Sequence, residues 1–291
     1  MSLSNEGIAV VNGKFSPVSE AKISITDRGF LFGHSVFETI LILNGKMVAW
    51  ENHFQRLEKS CKRSYIQAPK KDIIEQQILA AIEKNNVHTK MALRLIVTGG
   101  NSLDLPIKKN NYQLPTPNII IICRNIMGPS QEKYEKGIKL KTFCDVRPKE
   151  LIDIKSCNYL FNIMSLEESQ ASNYDDVLFY DTNNQFTECS TANFIWFDEN
   201  LHVYSAPFKN NCLAGTTLTL LVEALQENGS SIKFHWKSLE RNKLGSVSGC
   251  AILSSTRLIL PVQKIDDVCF SVDKHSHFFD TLMSLLKKRL Y

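Results

Sequence analysis

Apolar and polar positions change period several times along this chain, and each change predicts an element. In "HSVFETILILNGKMVAW" two apolar runs flank Asn44-Gly45, a dipeptide that suits a two-residue turn, so the segment reads as a β-hairpin. "WENHFQRLEKSCKRSY" places Phe54, Leu57, Cys61 and Tyr65 at helical spacing. "KKDIIEQQILAAIEKNN" repeats the pattern through Ile73, Ile74, Gln77, Ile78, Ala81 and Ile82. "MALRLIVTGG" and "PNIIIICRN" are short apolar runs and read as strands. The pattern breaks at "RNIMGPSQEKYEKG", where Gly, Pro and charges cluster. That break divides the chain into a smaller α+β domain over 1–124, a linker over 125–134 and a larger domain over 135–291.

The second half mixes the two periods. Residues 160–170 read as a helix through Leu160, Ile163, Met164 and Leu166. "DDVLFYDTNNQFTECSTANFIWFDENLHVYSAP" reads as a meander with turns at 181–184 and 198–200. "GTTLTLLVEALQENG" is a helix expected to start after Gly215 and stop at Gly229. "GCAILSST" is a buried strand that runs into small hydroxyl residues, and "HFFDTLMSLLKKRL" is an amphipathic helix. Strands and helices mix without strict β-α-β alternation, which favours α+β over a doubly wound sheet.

Composition narrows the class. The chain has 291 residues, 43% hydrophobic and 22% charged, enough to bury a sizeable core. A net charge of +4 with dispersed Lys and Arg gives no argument for nucleic acid. None of the eight cysteines forms a CxxC pair or a Cys/His spacing typical of a metal site, so no metal is expected and the thiols read as buried and reduced, as in the cytoplasm. The N-terminus lacks the signature of a signal peptide, and no apolar run is long enough to span a membrane. A cytoplasmic protein that works on a small molecule is the expectation.

Five features carry candidate chemistry, each beside a bland reading that is preferred in isolation. Lys155 sits in "LIDIKSCNYLF", between apolar neighbours. An amine partly removed from water loses some stabilisation of its charged form and can attack a carbonyl; the bland reading is a snorkelling stem. Gly215-Thr216-Thr217 opens a helix, where free N–H groups and hydroxyls favour an anion, or simply cap the helix. Ser254-Ser255-Thr256 could grip the same anion, or end a strand. Arg56 falls opposite Phe54 and Leu57, either as a phosphate-binding fork or as part of a solvated face. Glu188 lies in a polar insert, either as a turn residue or as a carboxylate that holds a proton on a heteroaromatic nitrogen. His53 reads as a local packing or capping residue with no catalytic role. Together the set supplies what pyridoxal 5′-phosphate requires: a lysine, a phosphate cup, an arginine and a carboxylate.

The motifs also resemble, in order and from about residue 8 to about 265, those of the class IV aminotransferases, the fold-type-IV pyridoxal phosphate enzymes. "DRGFLFGHSVFET" resembles the first motif and "NHFQRLEKS" the H-x-x-R-L helix, which implies Arg56 for the phosphate. "DIKSCNYLFNI" resembles the lysine motif, which implies Lys155 as the Schiff-base residue and Tyr159 near the cofactor's phenolic oxygen. "FTECSTANFIWF" implies Glu188 at the pyridine nitrogen. "LAGTTLTLLVEAL" and "LSSTRLILPV" resemble the phosphate loops, which implies Thr216, Thr217, Ser254 and Ser255. The resemblance further implies two α+β domains with the cofactor between them, an amino substrate and a homodimer.

The branch is read from smaller features. "FET" and "STRLILPV" point first to aminodeoxychorismate lyase, which makes 4-aminobenzoate for folate, with Thr39 as a proton relay. An amino-acid transaminase of branched-chain or D-amino-acid type comes second, and a catalytically silent member of the fold third. "VTGG" places Gly99 where D-amino-acid enzymes carry an arginine, His34 stands where Asp or a small residue is usual, and the loop 99–115 matches no branch.

Overall fold

The computed structural model describes residues 7–85, 90–105, 114–208, 212–227 and 231–290. It forms two compact units, Met1–Met127 with Ile154–Asn158, and Gly128–Asp153 with Tyr159–Tyr291. The first unit therefore includes a five-residue segment that carries Lys155.

The first unit contains β1 (Ile8–Val11), β2 (Lys14–Pro17), α1 (Arg28–Phe32), β3 (Ser35–Leu43), β4 (Lys46–Met47), α2 (Trp50–Arg63), α3 (Lys71–Lys84), β5 (Lys90–Thr98) and β6 (Ile119–Asn125). Its sheet runs β2-β1-β6-β5-β3-β4, and every pairing is antiparallel. Asn44 (φ 49°) and Gly45 (φ 77°) both adopt positive φ, as the tight β3–β4 turn demands. Alternation along β3 sends Val36, Ile40 and Ile42 into a core with Phe54, Leu57 and Cys61 of α2 and Ile74, Ile78 and Ile82 of α3. Each such aliphatic side chain contributes roughly 1.5–3 kcal/mol through burial. Tyr65, expected on the same stripe as Phe54, is 75% exposed, because α2 has already ended at Arg63.

The second unit contains α4 (Gln131–Lys136), β7 (Ile138–Cys144), α5 (Lys149–Ile152), α6 (Leu160–Ala171), β8 (Asp176–Tyr180), β9 (Phe186–Cys189), β10 (Asn193–Phe197), β11 (Val203–Ser205), α7 (Thr216–Glu227), β12 (Phe234–Trp236), β13 (Gly249–Ser254), β14 (Leu258–Ile265), β15 (Val268–Cys269) and α8 (Ser276–Lys287). The sheet runs β12-β11-β10-β13-β14-β7-β8-β9, and β9 pairs back to β10, so six strands close into a ring. The breakpoint "RNIMGPSQEKYEKG" is not all irregular: Ser130 accepts from the Lys133 N–H and caps α4. Gly229, where α7 was expected to stop, lies outside the described residues.

Helix α6 forms where expected but is turned over. Leu160, Ile163 and Met164 are exposed, while Asn162, Ser165 and Ser169 are buried. The buried polar groups find partners: Asn162 Nδ2 donates to the Ser190 carbonyl at 2.8 Å, and Ser169 Oγ to the Asp176 carbonyl at 2.8 Å. All eight cysteines are free; Cys269 is exposed and Cys144 and Cys157 are half-buried, against the expectation that they sit indoors. No helix of the described residues is long and apolar enough to cross a membrane.

Candidate active site

Lys155 is placed by strand pairing rather than by a helix. Its segment adds to the free edge of β3: Val36 bridges Ser156, the Phe37 N–H donates to the Lys155 carbonyl at 2.9 Å, and the Cys157 N–H donates to the Ser35 carbonyl at 3.0 Å. Ile154 packs on the core of the first unit, which pins the segment from its apolar side. Lys155 itself is half-buried, and its Nζ lies 4.6 Å from the centre of the Phe37 ring. Arg94, on the neighbouring strand β5, stacks on the same ring at 3.8 Å. Thr39 faces Arg94 across the β3–β5 pair and is half-buried. One aromatic ring thus carries a lysine and an arginine, beside a threonine hydroxyl.

Arg56 does not lie on a solvated face. It is buried, and its guanidinium forks onto Glu38 of β3, with Nε to Oε1 at 2.8 Å and a terminal nitrogen to Oε2 at 2.6 Å. His53, one turn earlier on α2, donates from Nδ1 to Glu38 Oε2 at 2.6 Å. Burial alone would raise the Glu38 pKa, but the Arg56 and His53 contacts outweigh it and hold the carboxyl at about 2. Burial lowers the His53 pKa; Glu38 opposes this, while the charges of Arg56 and Lys155 add to it. Glu38 was quoted in the sequence only within a motif. Its role appears once β3 and α2 are packed together.

In the second unit Glu188 sits within β9, not in a turn, and is buried. Arg147 donates to Glu188 Oε1 at 3.2 Å, and the Leu213 N–H donates to Oε2 at 2.9 Å. Arg147 is itself forked on Asp145, with Nε to Oδ1 at 2.9 Å and a terminal nitrogen to Oδ2 at 2.6 Å. Burial works against the Arg147 charge, but the Asp145 and Glu188 carboxylates outweigh it and hold the guanidinium above its ordinary value. The sequence reading missed Asp145 and Arg147. The signal available was the charged D-V-R triplet at the end of an apolar run, ahead of the lysine motif.

Asn193 is paired in register with Glu188, and its Nδ2 donates to the Leu213 carbonyl at 2.9 Å. A Cβ on Gly215 would come within 1.7 Å of Asn193 Oδ1, so only glycine lets the chain turn there into α7. Thr216 and Thr217 follow as buried residues in the first turn of a 12-residue helix, where backbone N–H groups are left without helical partners. Thr216 Oγ1 lies 3.3 Å from Ser255 Oγ, which brings the two expected phosphate loops together. Ser254 Oγ accepts from Arg257 Nε at 3.2 Å, and Arg257 is anchored by the buried Asp176 at 2.9 Å. Tyr159, half-buried, occupies the residue just before α6. Among the described residues no group of three or more His, Cys, Asp or Glu side chains could hold a metal.

Residues 35–265 match the amino-transferase class IV family. The chain belongs to the class IV aminotransferase family. It is therefore a pyridoxal phosphate-dependent enzyme with the fold-type-IV, α+β architecture. It is 29% identical over 256 residues to a D-alanine aminotransferase of Bacillus licheniformis, covering 88% of this chain and 87% of the relative. In solved structures it resembles the pyridoxal phosphate-bound form of a hypothetical aminotransferase from Mycobacterium tuberculosis, with a TM-score of 0.85, 19% identity, and coverage of 98% of this chain and 99% of the other. A Legionella pneumophila protein provisionally assigned as a 4-amino-4-deoxychorismate lyase has a TM-score of 0.81 and 24% identity, with coverage of 92% and 96%.

The donor sets of this class IV aminotransferase fit the cofactor's groups. The hydroxyls of Thr216, Thr217 and Ser255 at a helix N-terminus suit a phosphate dianion. A carboxylate braced by an arginine suits a protonated ring nitrogen. A half-buried amine suits an aldehyde.

Proposed function

We propose that this enzyme is an α-amino-acid aminotransferase in which Lys155 is the covalent and proton-carrying amine. The observation that carries the reading is the Phe37 ring, with Lys155 and Arg94 both stacked on it. An amino acid presents an amine and a carboxylate, and among the described residues no carboxylate faces Arg94. Its planar fork suits a substrate carboxylate.

Pyridoxal phosphate, when bound, supplies a cationic ring that takes up the electron pair left at the substrate's α-carbon. The chain's own residues do the rest, each assigned from its own surroundings. The Lys155 amine would hold the cofactor through its aldehyde and, once free, would take the proton from the substrate's α-carbon as general base and deliver it as general acid to the cofactor's aldehyde carbon, so that the substrate leaves as a keto acid. Glu188, held as an anion by Arg147, keeps the proton on the ring nitrogen. Thr216, Thr217, Ser254 and Ser255 hold the phosphate, and Arg56 adds positive charge from a guanidinium braced by Glu38. Tyr159 donates its hydroxyl to the phenolic oxygen. The homodimer, which rests on the family resemblance, and the cytoplasmic setting, which rests on the cysteine pattern, belong to the same proposal.

Aminodeoxychorismate lyase is the second reading, and Thr39 favours it. Its hydroxyl has no hydrogen-bond partner among the described residues and lies opposite Arg94, as a proton relay would require. Loss of pyruvate would then aromatise the substrate ring to 4-aminobenzoate.

The test offers D- and L-amino acids with 2-oxoglutarate, and separately aminodeoxychorismate, while the cofactor's visible band and the products are followed. Amino-acid-dependent band conversion with keto-acid formation is expected. Release of 4-aminobenzoate without any transamination would replace the first reading by the second.

A further inference from the structure

His34 and Arg28 tie together three backbones that lie side by side in the first unit. Gly33 (φ 66°) closes α1 in the left-handed region and delivers His34 beside the Arg28 side chain. Arg28 Nε donates to His34 Nδ1 at 3.1 Å, and His34 Nε2 lies 2.6 Å from the Ser64 carbonyl. An arginine only donates and a carbonyl only accepts, so these contacts specify a neutral imidazole with its proton on Nε2. The Arg28 guanidinium, 5% exposed, also donates to the Asp104 carbonyl and, at 3.0 Å, to the Leu105 carbonyl. Backbone bonds reinforce the tie: Gly99 N–H to the His34 carbonyl at 2.8 Å, and Arg28 N–H to the Gly100 carbonyl at 2.8 Å.

Gly99 now has a reason. A Cβ there would come within 2.3 Å of His34 Nδ1, so the imidazole occupies the space a side chain at 99 would need. On its other side the 33–37 backbone borders the lysine segment. The Gly33 Cα faces Asn158 Oδ1, the Ser35 carbonyl accepts from the Cys157 N–H, and the Phe37 N–H donates to the Lys155 carbonyl. The segment 99–105 thus continues β5, the strand of Arg94, and is latched to the strand that holds Lys155.

We propose that Arg28 and His34 are positioning residues that latch segment 99–105 beside the lysine strand, that this segment discriminates among amino substrates, and that the latch holds only while His34 is neutral. The selection part rests on the reading of Lys155 given above. A proton on Nδ1 removes the acceptor for Arg28 Nε and sets two cations against each other. The groups that face the ring come from each neighbouring element: Arg28 from α1, the Ser64 carbonyl beyond the end of α2, next to Arg63, and Gly99, without a side chain, from the end of β5. From the lysine segment the charged group is Lys155, whose Nζ lies on Phe37. The nearest acid in sequence, Asp27, gives its carboxylate to Gly29, Phe30, Thr98 and Asn118, and Asp104 presents its carbonyl to Arg28. Among the described residues no carboxylate is therefore engaged with the pair to compensate a second positive charge.

The test measures amide hydrogen exchange of residues 99–105 in the holoenzyme near pH 8 and near pH 5.5, corrected for intrinsic rates, in wild type, His34→Asp and Arg28→Lys. It also measures the concentrations of alanine and of leucine, each as both enantiomers, that half-convert the cofactor band. Wild type should lose protection by about fivefold or more at the lower pH, where a proton on Nδ1 removes the acceptor for Arg28. His34→Asp keeps an acceptor for Arg28 at both pH values and should abolish that dependence. Arg28→Lys should lose protection at both and change the alanine-to-leucine ratio by about tenfold, with the band itself unmoved. Wild-type protection that ignores pH overturns the latch. An unchanged ratio in a loosened Arg28→Lys, or a wild-type band that neither amino acid moves, overturns the selection. A protein that stays colourless with added pyridoxal phosphate would sink the cofactor reading separately, because the exchange arm still reads the latch.

Discussion

Two of the arginine–carboxylate pairs in this enzyme, Arg56–Glu38 in the first unit and Arg147–Glu188 in the second, are built for different work. Glu38 has a fully buried side chain and Arg56 is only 8% exposed there; both Glu38 oxygens are occupied by Arg56, and one also by His53. Glu188 is 11% exposed and Arg147 23%, and Glu188 takes one donor from Arg147 and one from the Leu213 N–H. In the first pair the charges are sealed between a sheet and a helix, so the pair braces the fold and fixes where Arg56 points. In the second the arginine is shared with Asp145, and both side chains are partly exposed. The same residue types thus meet once where water is excluded and once where both side chains are partly open.

Removing one member of each pair separates these roles. The largest effect is expected from Glu38→Gln, which leaves the buried Arg56 charge uncompensated and should cost about 3–5 kcal/mol in urea unfolding. The sign with pH follows: Glu38 is held at about 2 in the fold against an ordinary 4.5, so its contribution is complete above 4.5 and is lost as pH falls toward 2. Arg147→Gln should leave stability much less changed but lower kcat roughly 10²-fold, with partial rescue by Arg147→Lys. Equal stability losses in Glu38→Gln and Arg147→Gln would erase the distinction between the pairs. The smallest effect concerns His53, whose pKa lies below its ordinary 6.5 in the fold. Protonation therefore favours the unfolded chain, and the stability His53 contributes is present above 6.5 and lost as pH falls below it. The slope is at most about 1.4 kcal/mol per pH unit, one proton's worth. His53→Gln, which still donates to Glu38, should flatten the melting temperature between about pH 6.5 and 5.

Much of the scaffold was legible because its signals are local. Asn44-Gly45 needs only two residues to specify a turn, and Phe54, Leu57 and Cys61 need only one helix to form a stripe. Arg56 was misplaced because periodicity maps apolar faces and says nothing of a carboxylate 18 residues away that makes burial tolerable. The Leu160, Ile163 and Met164 stripe marked α6 as a helix, but it could not say that the face turned inward is the one with Asn162 and Ser169. Lys155 stood out by its apolar neighbours. Its actual support, a strand added to β3 more than a hundred residues earlier, is a long-range contact that no local window contains. Gly99 read as the loss of an arginine, and only the His34 ring shows what the missing side chain makes room for.

The central claim is that Lys155 is the amine that joins the cofactor, and one measurement addresses it directly. The protein loaded with pyridoxal phosphate is reduced with borohydride, digested and read by mass spectrometry. The account predicts a pyridoxyl group on the peptide containing Lys155, absent from Lys155→Ala, which should also lack the visible band. A pyridoxyl group found reproducibly on another lysine, or none on a protein that still turns over amino acids, would contradict it.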